Sequence, residues 1–140
     1  MSLRVVTYKK EDEGKVGEYR EDQTIEKVII DDEVTEIARY AFSQCTKLKV
    51  IVFSPNCKVK KIGYGAFYGC TALEEVDLPN SLEELEGGSD GVFEHCRNLH
   101  KVSFGSNLKI VGACAFFNTK VKTILLKEKV TTKKIKRFEK

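Results

Sequence analysis

The sequence predicts a solenoid in which short parallel strands line one side of the molecule. The first observation is an internal repeat, in which a small residue followed by Phe recurs and an apolar triplet at positions 1, 4 and 6 comes after it. The second is spacing: successive pairs stand 25, 26 and 23 residues apart, and the excess falls in stretches of turn composition. The third is the alternation within each triplet, which is typical of a strand with one buried face. Repeats of this length stack on their neighbours and bury one continuous core.

The repeated positions identify the predicted core. The small-Phe pairs are Ala41-Phe42, Ala66-Phe67, Val92-Phe93 and Ala115-Phe116. Four residues after each small residue come Cys45, Cys70, Cys96 and Thr119. The triplets are Leu48, Ile51, Phe53; Leu73, Val76, Leu78; Leu99, Val102, Phe104; and Val121, Ile124, Leu126. Because equivalent positions of stacked repeats lie above one another, we expect the four Phe rings to form an aromatic column.

Residues 1–23 are predicted to cap the solenoid, because its first repeat has no neighbour to cover the outward apolar face. The segment LRVVTY (3–8) alternates β-branched and aromatic residues and is typical of a strand. KKEDEGK (9–15) has turn composition, and KVGEYR (15–20) is a candidate second strand. The sequence therefore predicts an N-terminal β-hairpin.

Residues 24–126 hold the repeats. In TIEKVIIDDEVTEI (24–37) the triplet is Ile25, Val28 and Ile30, and a half-repeat follows. Insertions of two and three residues fall in SPNCKVKK and EGGSDG, which are predicted surface turns. The return segments are predicted to be short helical or irregular stretches, with Tyr40 and Tyr64 at equivalent positions. Residues 127–140 lose the pattern and form either a cap, with Val130, Ile135 and Phe138 over the last repeat, or a solvated basic tail.

Composition and charge limit the class of protein. A chain of 140 residues, 41% hydrophobic and 32% charged, is typical of a single soluble domain, here residues 1–140. It has no apolar run near the length of a membrane span, and the N-terminus lacks the apolar region of a secretory signal. These features predict a cytoplasmic protein, or a cell-surface protein if the chain is a fragment. The net charge is +3, but the charges are unevenly distributed along the chain. Residues 1–37 hold 11 acids and 6 bases, whereas residues 127–140 hold 2 acids and 7 bases. That distribution fits head-to-tail association, an acidic partner, or merely solvated ends.

The five cysteines do not form a metal site by spacing, because no CxxC and no zinc-like Cys/His set occurs. Three of them share one repeat position, which predicts reduced thiols stacked in the core. Disulfides are the alternative.

Candidates for chemistry each have a simpler structural interpretation. His95 and His100 near Cys96 suggest a Cys–His pair, but Cys96 occupies a predicted core position. The acids at 74, 75, 77, 83, 84 and 86 lack calcium-loop spacing, and EGGSDG (86–91) lacks the Lys-Ser/Thr of a phosphate loop. The sequence therefore predicts no enzyme activity, no metal, no cofactor and no small-molecule substrate.

The segment Ile62 to Leu85, IGYGAFYGCTALEEVDLPNSLEEL, resembles the repeat of the BspA-like leucine-rich repeat proteins, AFxxCxxLxxIxLPxxV. The resemblance covers residues 25–126. It implies an α/β fold, a right-handed leucine-rich-repeat solenoid with a parallel sheet on its concave side. It also implies a surface that binds proteins or matrix, since members of the family include surface adhesins of host-associated bacteria and proteins of protist parasites.

The outward positions of the strands give the candidate site. Positions 3 and 5 of successive strands are predicted to stack into two columns with an apolar patch beside charged residues. The predicted protein-binding residues are Lys27, Ile29, Val50, Val52, Glu75, Asp77, Lys101, Ser103, Thr123 and Leu125. The predicted function is a non-catalytic protein-interaction module whose protein ligand the sequence does not identify. The alternatives are a fragment of a surface adhesin and a scaffold that meets RNA or an acidic membrane through its basic C-terminus.

Overall fold

A computed structural model describes residues 2–127, and its backbone winds into a solenoid of stacked coils. The strands in chain order are β1 (Arg4–Tyr8), β2 (Ile25–Ile30), β3 (Glu36–Ile37), β4 (Val50–Phe53), β5 (Lys61–Ile62), β6 (Glu75–Asp77), β7 (Glu84–Leu85), β8 (Lys101–Phe104), β9 (Ile110–Val111) and β10 (Ile124–Leu126). All paired strands in the described chain run parallel. The predicted parallel-sheet solenoid is confirmed.

The strands lie on two sides of the solenoid. On one side β1, β2 and β4 form a sheet, and β6, β8 and β10 form another beside it. On the return side the two-residue strands β3, β5, β7 and β9 form a continuous ladder. The predicted triplets face inward: in β2, Ile25, Val28 and Ile30 are buried while Ile29 is half-exposed. The alternation of side chains along a strand therefore places the core between the two sides.

Almost none of the described chain is helical. The only helix among residues 2–127 is a single 3-10 turn, Lys10–Asp12. No helix in this range has the length and apolar character needed to cross a membrane. The return segments are therefore not helical, and the two-residue strands on that side were not predicted.

The predicted N-terminal hairpin is wrong. β1 pairs in parallel with β2, whereas a hairpin is antiparallel, and residues 15–20 contain no strand. Gly17, Tyr19 and Glu21 instead donate their backbone N–H groups to Arg39, Ala41 and Ser43 of the next coil, at 3.0, 2.8 and 2.8 Å. Since Tyr40 and Phe42 donate in the same way to Tyr64 and Ala66 at 3.1 and 2.8 Å, residues before 24 form the first coil of the solenoid.

The buried Tyr8 closes the N-terminal end of the core. Its hydroxyl accepts the Ala38 N–H at 2.9 Å and donates to the Asp12 carbonyl at 3.2 Å. Burial raises the pKa of Tyr8 to about 12, because the charged phenolate would lose its hydration. The ring also packs on Phe42 at 5.6 Å between centroids. A polar aromatic residue thus covers the first coil with its hydroxyl satisfied.

The predicted aromatic column is confirmed and extends one coil further. The rings of Phe42, Phe67, Phe93 and Phe116 stack at 5.6, 5.5 and 5.6 Å with interplanar angles of 5°, 8° and 5°. Tyr19 adds a fifth ring, 5.1 Å from Phe42 at an interplanar angle of 4°. The four Phe side chains are buried, so the column forms the centre of the core.

Tyr40 and Tyr64 are not equivalent, which corrects the prediction by one position. The β3–β5 register pairs Ile37 with Ile62, and this places Tyr40 opposite Gly65. A Cβ at Gly65 would lie 2.4 Å from the Tyr40 ring, so only glycine leaves room for that ring. The two tyrosine rings nevertheless meet edge to face, with centroids 5.5 Å apart.

The repeat cysteines form a second internal column of free thiols. Cys45, Cys70 and Cys96 are fully buried. Each thiol donates to a carbonyl of the preceding coil: Cys45 to Tyr19 at 3.1 Å, Cys70 to Phe42 at 3.3 Å and Cys96 to Phe67 at 3.0 Å. The column therefore joins successive coils, as expected from the shared repeat position.

Native protein is expected to expose only Cys57 and Cys114 to a thiol reagent such as dithionitrobenzoate. Burial raises the pKa of Cys45 to about 11 and holds that of Cys70 well above its ordinary value, and the thiolate is the reactive form. Counting thiols before and after unfolding in urea checks this, with five expected after unfolding. A Cys57→Ser, Cys114→Ser double variant should show no fast reaction in the native state. Rapid labelling of that variant would contradict the buried column.

The last described coil is less covered than the others. Leu126 was predicted to face inward, but 43% of its surface is exposed, and Val121 and Ile124 are only partly buried. An inward position is buried only where a further element packs on its outer side. The predicted cap or tail formed by Val130, Ile135 and Phe138 lies outside the described residues.

Candidate binding surface

Two columns of outward side chains cross the strands, and we call them together the ladder face. The register places Val5, Lys27 and Val50 side by side, and Glu75 beside Lys101. The second column runs Thr7, Ile29, Val52 and continues as Asp77, Ser103, Leu125. The ladder face comprises Val5, Thr7, Lys27, Ile29, Val50, Val52, Glu75, Asp77, Lys101, Ser103, Thr123 and Leu125. Nine of the ten predicted residues thus lie within strands at the predicted positions, Thr123 directly precedes β10, and the role of all ten in binding stays a prediction.

Val5 and Thr7 are the members that sequence reasoning missed. The alternation of LRVVTY was noted, but the hairpin interpretation removed this strand from the stack. In the structure β1 adds to the edge of β2 and continues both columns. Val5 is 55% exposed, so the apolar part of the face begins at the first coil.

The ladder face combines an apolar region with a charged one. Val5 and Val50 are exposed, while Ile29 and Val52 beside them are half-exposed. Further along, Glu75, Asp77 and Lys101 are exposed. The face therefore offers apolar contact area and charged groups side by side on strands of one orientation.

A seam divides the ladder face between β4 and β6. The repeat pattern continues across it, yet no ladder pairs the two strands, and no backbone hydrogen bond joins residues 49–53 to 74–78. A cleft of about 970 Å³ opens there, lined by Val50, Ile51 and Val76 among other residues. On the return side β5 pairs with β3 and β7, so the solenoid stays continuous behind the seam.

Asp77 is the carboxylate of the ladder face that already has partners. Ser103 Oγ donates to its Oδ1 at 2.6 Å, and Lys127 Nζ lies 3.0 Å from the same oxygen. Partial burial opposes ionisation, but the Ser103 hydrogen bond and the Lys127 charge hold the pKa of Asp77 below its ordinary value. Lys127 also donates to the Leu78 carbonyl. The Lys127 ammonium is thus bound by a carboxylate and a backbone carbonyl at the end of the cleft.

Three other charges of the ladder face have no such partner. Lys27, Glu75 and Lys101 take part in no ion pair or side-chain hydrogen bond within residues 2–127. Lys101 stands beside Glu75 in the register. Charges that no other described residue neutralises can pair with a partner, where they contribute mainly to specificity and association rate.

The candidate Cys–His pair is not assembled. Cys96 is fully buried and its thiol donates to the Phe67 carbonyl, whereas the His95 ring lies nearer the surface with its Nδ1 2.7 Å from Asn118 Nδ2. Tyr68 packs edge-on against the His95 ring at 5.2 Å. The histidine therefore belongs to a polar-aromatic surface cluster and does not act as a base for this thiol.

The acidic residues after β6 are distributed among separate partners. Glu83 pairs with Lys60 at 3.6 Å, and Glu86 forms a two-pronged contact with Arg39 at 2.7 and 3.0 Å. The Arg39 hydrogen bond is the main reason that the pKa of Glu86 is lowered. Within residues 2–127 no group of three His, Cys, Asp or Glu side chains is placed to hold a metal ion.

The EGGSDG turn fastens one coil to another. Glu86 binds Arg39, and Asp90 accepts the Tyr40 hydroxyl at 2.8 Å. Between them a Cβ at Gly88 would lie 2.2 Å from the Tyr64 ring, so the ring rests directly on the glycine backbone. Arg39 in turn stacks over Tyr64, 4.5 Å from the ring centroid. The inserted residues therefore contribute to packing and do not form a phosphate site.

The repeated coil with its stacked Phe and buried Cys has a known relative. The profile of the BspA type leucine rich repeat region matches residues 17–140, in six copies. The chain belongs to this family. Its match begins within the first coil, ahead of the repeats from residue 24 that the sequence pattern predicted. A comparison with curated proteins finds no match.

Two solved structures are similar to parts of the chain. A leucine rich cell surface protein from Faecalibacterium prausnitzii A2-165 is 19% identical, with a TM-score of 0.49 over 90% of this chain and 48% of that one. A leucine-rich repeat protein from Bacteroides ovatus ATCC 8483 is 20% identical, with a TM-score of 0.32 over 76% of this chain and 44% of that one. The chain spans about half the length of these proteins.

Proposed function

We propose that this BspA-type repeat chain is a non-catalytic module that binds another protein through its ladder face. The observation that carries the proposal is the pair of outward columns, in which exposed apolar residues adjoin charges that have no ion-pair partner among residues 2–127, on strands fixed by ladder hydrogen bonds. Such an array is ordered before the partner arrives, so binding costs little conformational entropy.

The solenoid supports the face from behind. The aromatic column and the thiol column hold successive coils together under the strands, and the return-side ladder is continuous. A partner therefore meets side chains whose backbone positions are set by the core. This is the arrangement by which repeat proteins present extended binding surfaces.

The proposal does not depend on where the protein resides. An intracellular partner and a surface ligand would contact the same residues, and we propose cell-surface adhesion as the alternative setting for the same face. Binding to RNA or an acidic membrane would instead depend on the basic segment 127–140, of which residues 128–140 lie beyond the described part of the chain. Such binding is expected to weaken steeply with salt and to be lost when those residues are removed.

Affinity capture with a ladder-face variant tests the proposal. The Val50→Glu, Glu75→Lys double variant changes the apolar and charged parts at exposed positions without removing a buried side chain. Wild type and variant are compared by quantitative mass spectrometry against extracts and surface fractions of the source cell. A partner of this face is expected to fall at least about tenfold, since central interface residues carry most of the affinity.

The Glu18→Lys variant is the matched control, because this exposed residue lies on the return side of the first coil and carries the same charge change as Glu75→Lys. It should retain the partner. Both variants should keep the wild-type melting temperature. Equal recovery of every partner by the double variant would remove the ladder face as the binding site.

A further inference from the structure

We infer that the partner presents an amphipathic α-helix that lies along the solenoid axis, across the strands of the ladder face. Its contacting side chains are acidic, apolar, basic and acidic at intervals of about one helical turn. The inference rests on the proposed function and identifies the kind of partner that this face accepts.

The spacing of the coils favours a helix over an extended segment in this direction. Neighbouring strands of a sheet lie about 4.8 Å apart, which is close to the 5.4 Å pitch of an α-helix. An axial helix therefore presents roughly one side chain to each coil. An extended segment advances about 3.3 Å per residue with alternating side chains, so its contacts lose register with the coils.

The first column supplies the charge pattern that a helix would match. From the second coil onward it reads Lys27, Val50, Glu75 and Lys101. The three charged members have no ion-pair partner in the described chain. A complementary helix carries Glu opposite Lys27, a large apolar residue opposite Val50, Lys or Arg opposite Glu75, and Glu opposite Lys101.

The helical positions i, i+4, i+7 and i+11 satisfy this order. The first and last of these lie about 16.5 Å apart along a helix. Three coil spacings amount to about 14 Å for regularly paired strands. β4 and β6 are not paired, so the spacing of a hydrogen-bonded ladder is not imposed between Val50 and Glu75.

The cleft at the seam can also accept the large apolar side chain that the helix carries at position i+4. The cleft of about 970 Å³ begins at Val50, and Ile51 and Val76 supply further apolar lining. Ile29 and Val52 of the second column lie beside Val50. An apolar residue at i+4 of the helix would therefore contact several apolar side chains. Asp77, at the far side, is already neutralised by Lys127 and does not need a cation from the partner.

Selection from a displayed peptide library tests the inference. The probe is an 18-residue helical peptide on phage with positions i, i+4, i+7 and i+11 randomised among Glu, Lys, Leu and Ala. On wild-type protein the expected consensus is Glu, Leu, Lys, Glu. On Glu75→Lys protein the third position should change to Glu, and on Glu18→Lys protein the consensus should stay as on wild type.

The selected wild-type peptide then gives the quantitative test by fluorescence anisotropy. Glu75→Lys should weaken its binding by about fivefold or more, because an attractive pair becomes a repulsive one. A peptide with Glu at i+7 should bind the variant better than it binds wild type, which a purely structural effect of the substitution would not produce.

Three results would overturn the inference. They are no enrichment on wild type, a consensus that ignores Glu75→Lys, and stronger enrichment from a parallel library of extended, proline-containing peptides. None of these results would contradict the proposed function if the Val50→Glu, Glu75→Lys variant still fails to capture the partner that wild type captures. If that variant keeps its partner while the helix consensus is selected, the proposed function fails separately.

Discussion

Replacing Phe67 with Ala is expected to lower the free energy of unfolding by about 3–5 kcal/mol, the range for removing a buried aromatic ring. Phe67 is fully buried and has a stacked ring on each side, Phe42 at 5.6 Å and Phe93 at 5.5 Å. Its carbonyl also accepts the Cys96 thiol, so the residue contributes to both internal columns. Urea unfolding followed by circular dichroism measures the loss.

Phe67→Leu is the control for this experiment, since it keeps an apolar side chain in the column and leaves a smaller void. We expect it to cost clearly less than Phe67→Ala, because the penalty follows the cavity that remains. The Ala variant should also broaden the transition, as weakening one inter-coil contact reduces the coupling between the two halves of a repeat protein. A loss below about 1 kcal/mol would mean that neighbouring rings close the gap, contrary to a column fixed by the backbone of each coil.

The core could be predicted from sequence because each coil places the same types of residue at the same buried positions. Phe42, Phe67 and Phe93 recur with the Cys three positions later, and the alternation of the triplet identifies the buried side of each strand. A residue that must stack on its counterpart in the next coil is constrained at every copy. The repeat pattern is therefore a direct record of inter-coil packing.

The first coil was missed because its residues differ from the consensus. Tyr19 takes the place of the repeat Phe and Asp22 that of the Cys, three residues on, with Ile25 three further. That spacing equals the spacing of Phe42, Cys45 and Leu48, so it was a usable signal. A parallel strand pair also cannot be told from a hairpin by alternation alone, since both need the same period of two.

The backbone conformation repeats from coil to coil even where the side chains differ. The residue before the Cys position has a positive φ in every described coil: Glu21 at 60°, Gln44 at 61°, Gly69 at 71°, His95 at 65° and Asn118 at 63°. Only one of these five is glycine. The left-handed turn is therefore imposed by the coil even on residues that adopt it at some cost, and sequence composition does not reveal it.

The members of the candidate site were predictable apart from Val5 and Thr7, but its shape was not. Alternation states which side chains point outward, and that gave the two columns. It does not state whether two neighbouring strands pair, so the seam between β4 and β6 could not be predicted from the repeat pattern. The partners of Asp77 were likewise hidden, because Lys127 lies 50 residues away and outside the repeats.

Replacing Gly91 with Ala is expected to cost about 3 kcal/mol, at the upper end of the range for overpacking. A Cβ on Gly91 would lie 1.9 Å from the Cys114 carbonyl oxygen and 2.3 Å from its carbon, both backbone atoms of the next coil. Gly88→Ala should cost less although its Cβ would lie 2.2 Å from Tyr64, because that contact is a side-chain ring that can turn away.

Ser89→Ala, in the same turn, is the neutral reference. Urea unfolding of the three variants should rank them in this order, because the distance between coils is set by backbone contact here and by side-chain contact at Gly88. Equal stability of Gly91→Ala and Ser89→Ala would show that these coils can separate without loss.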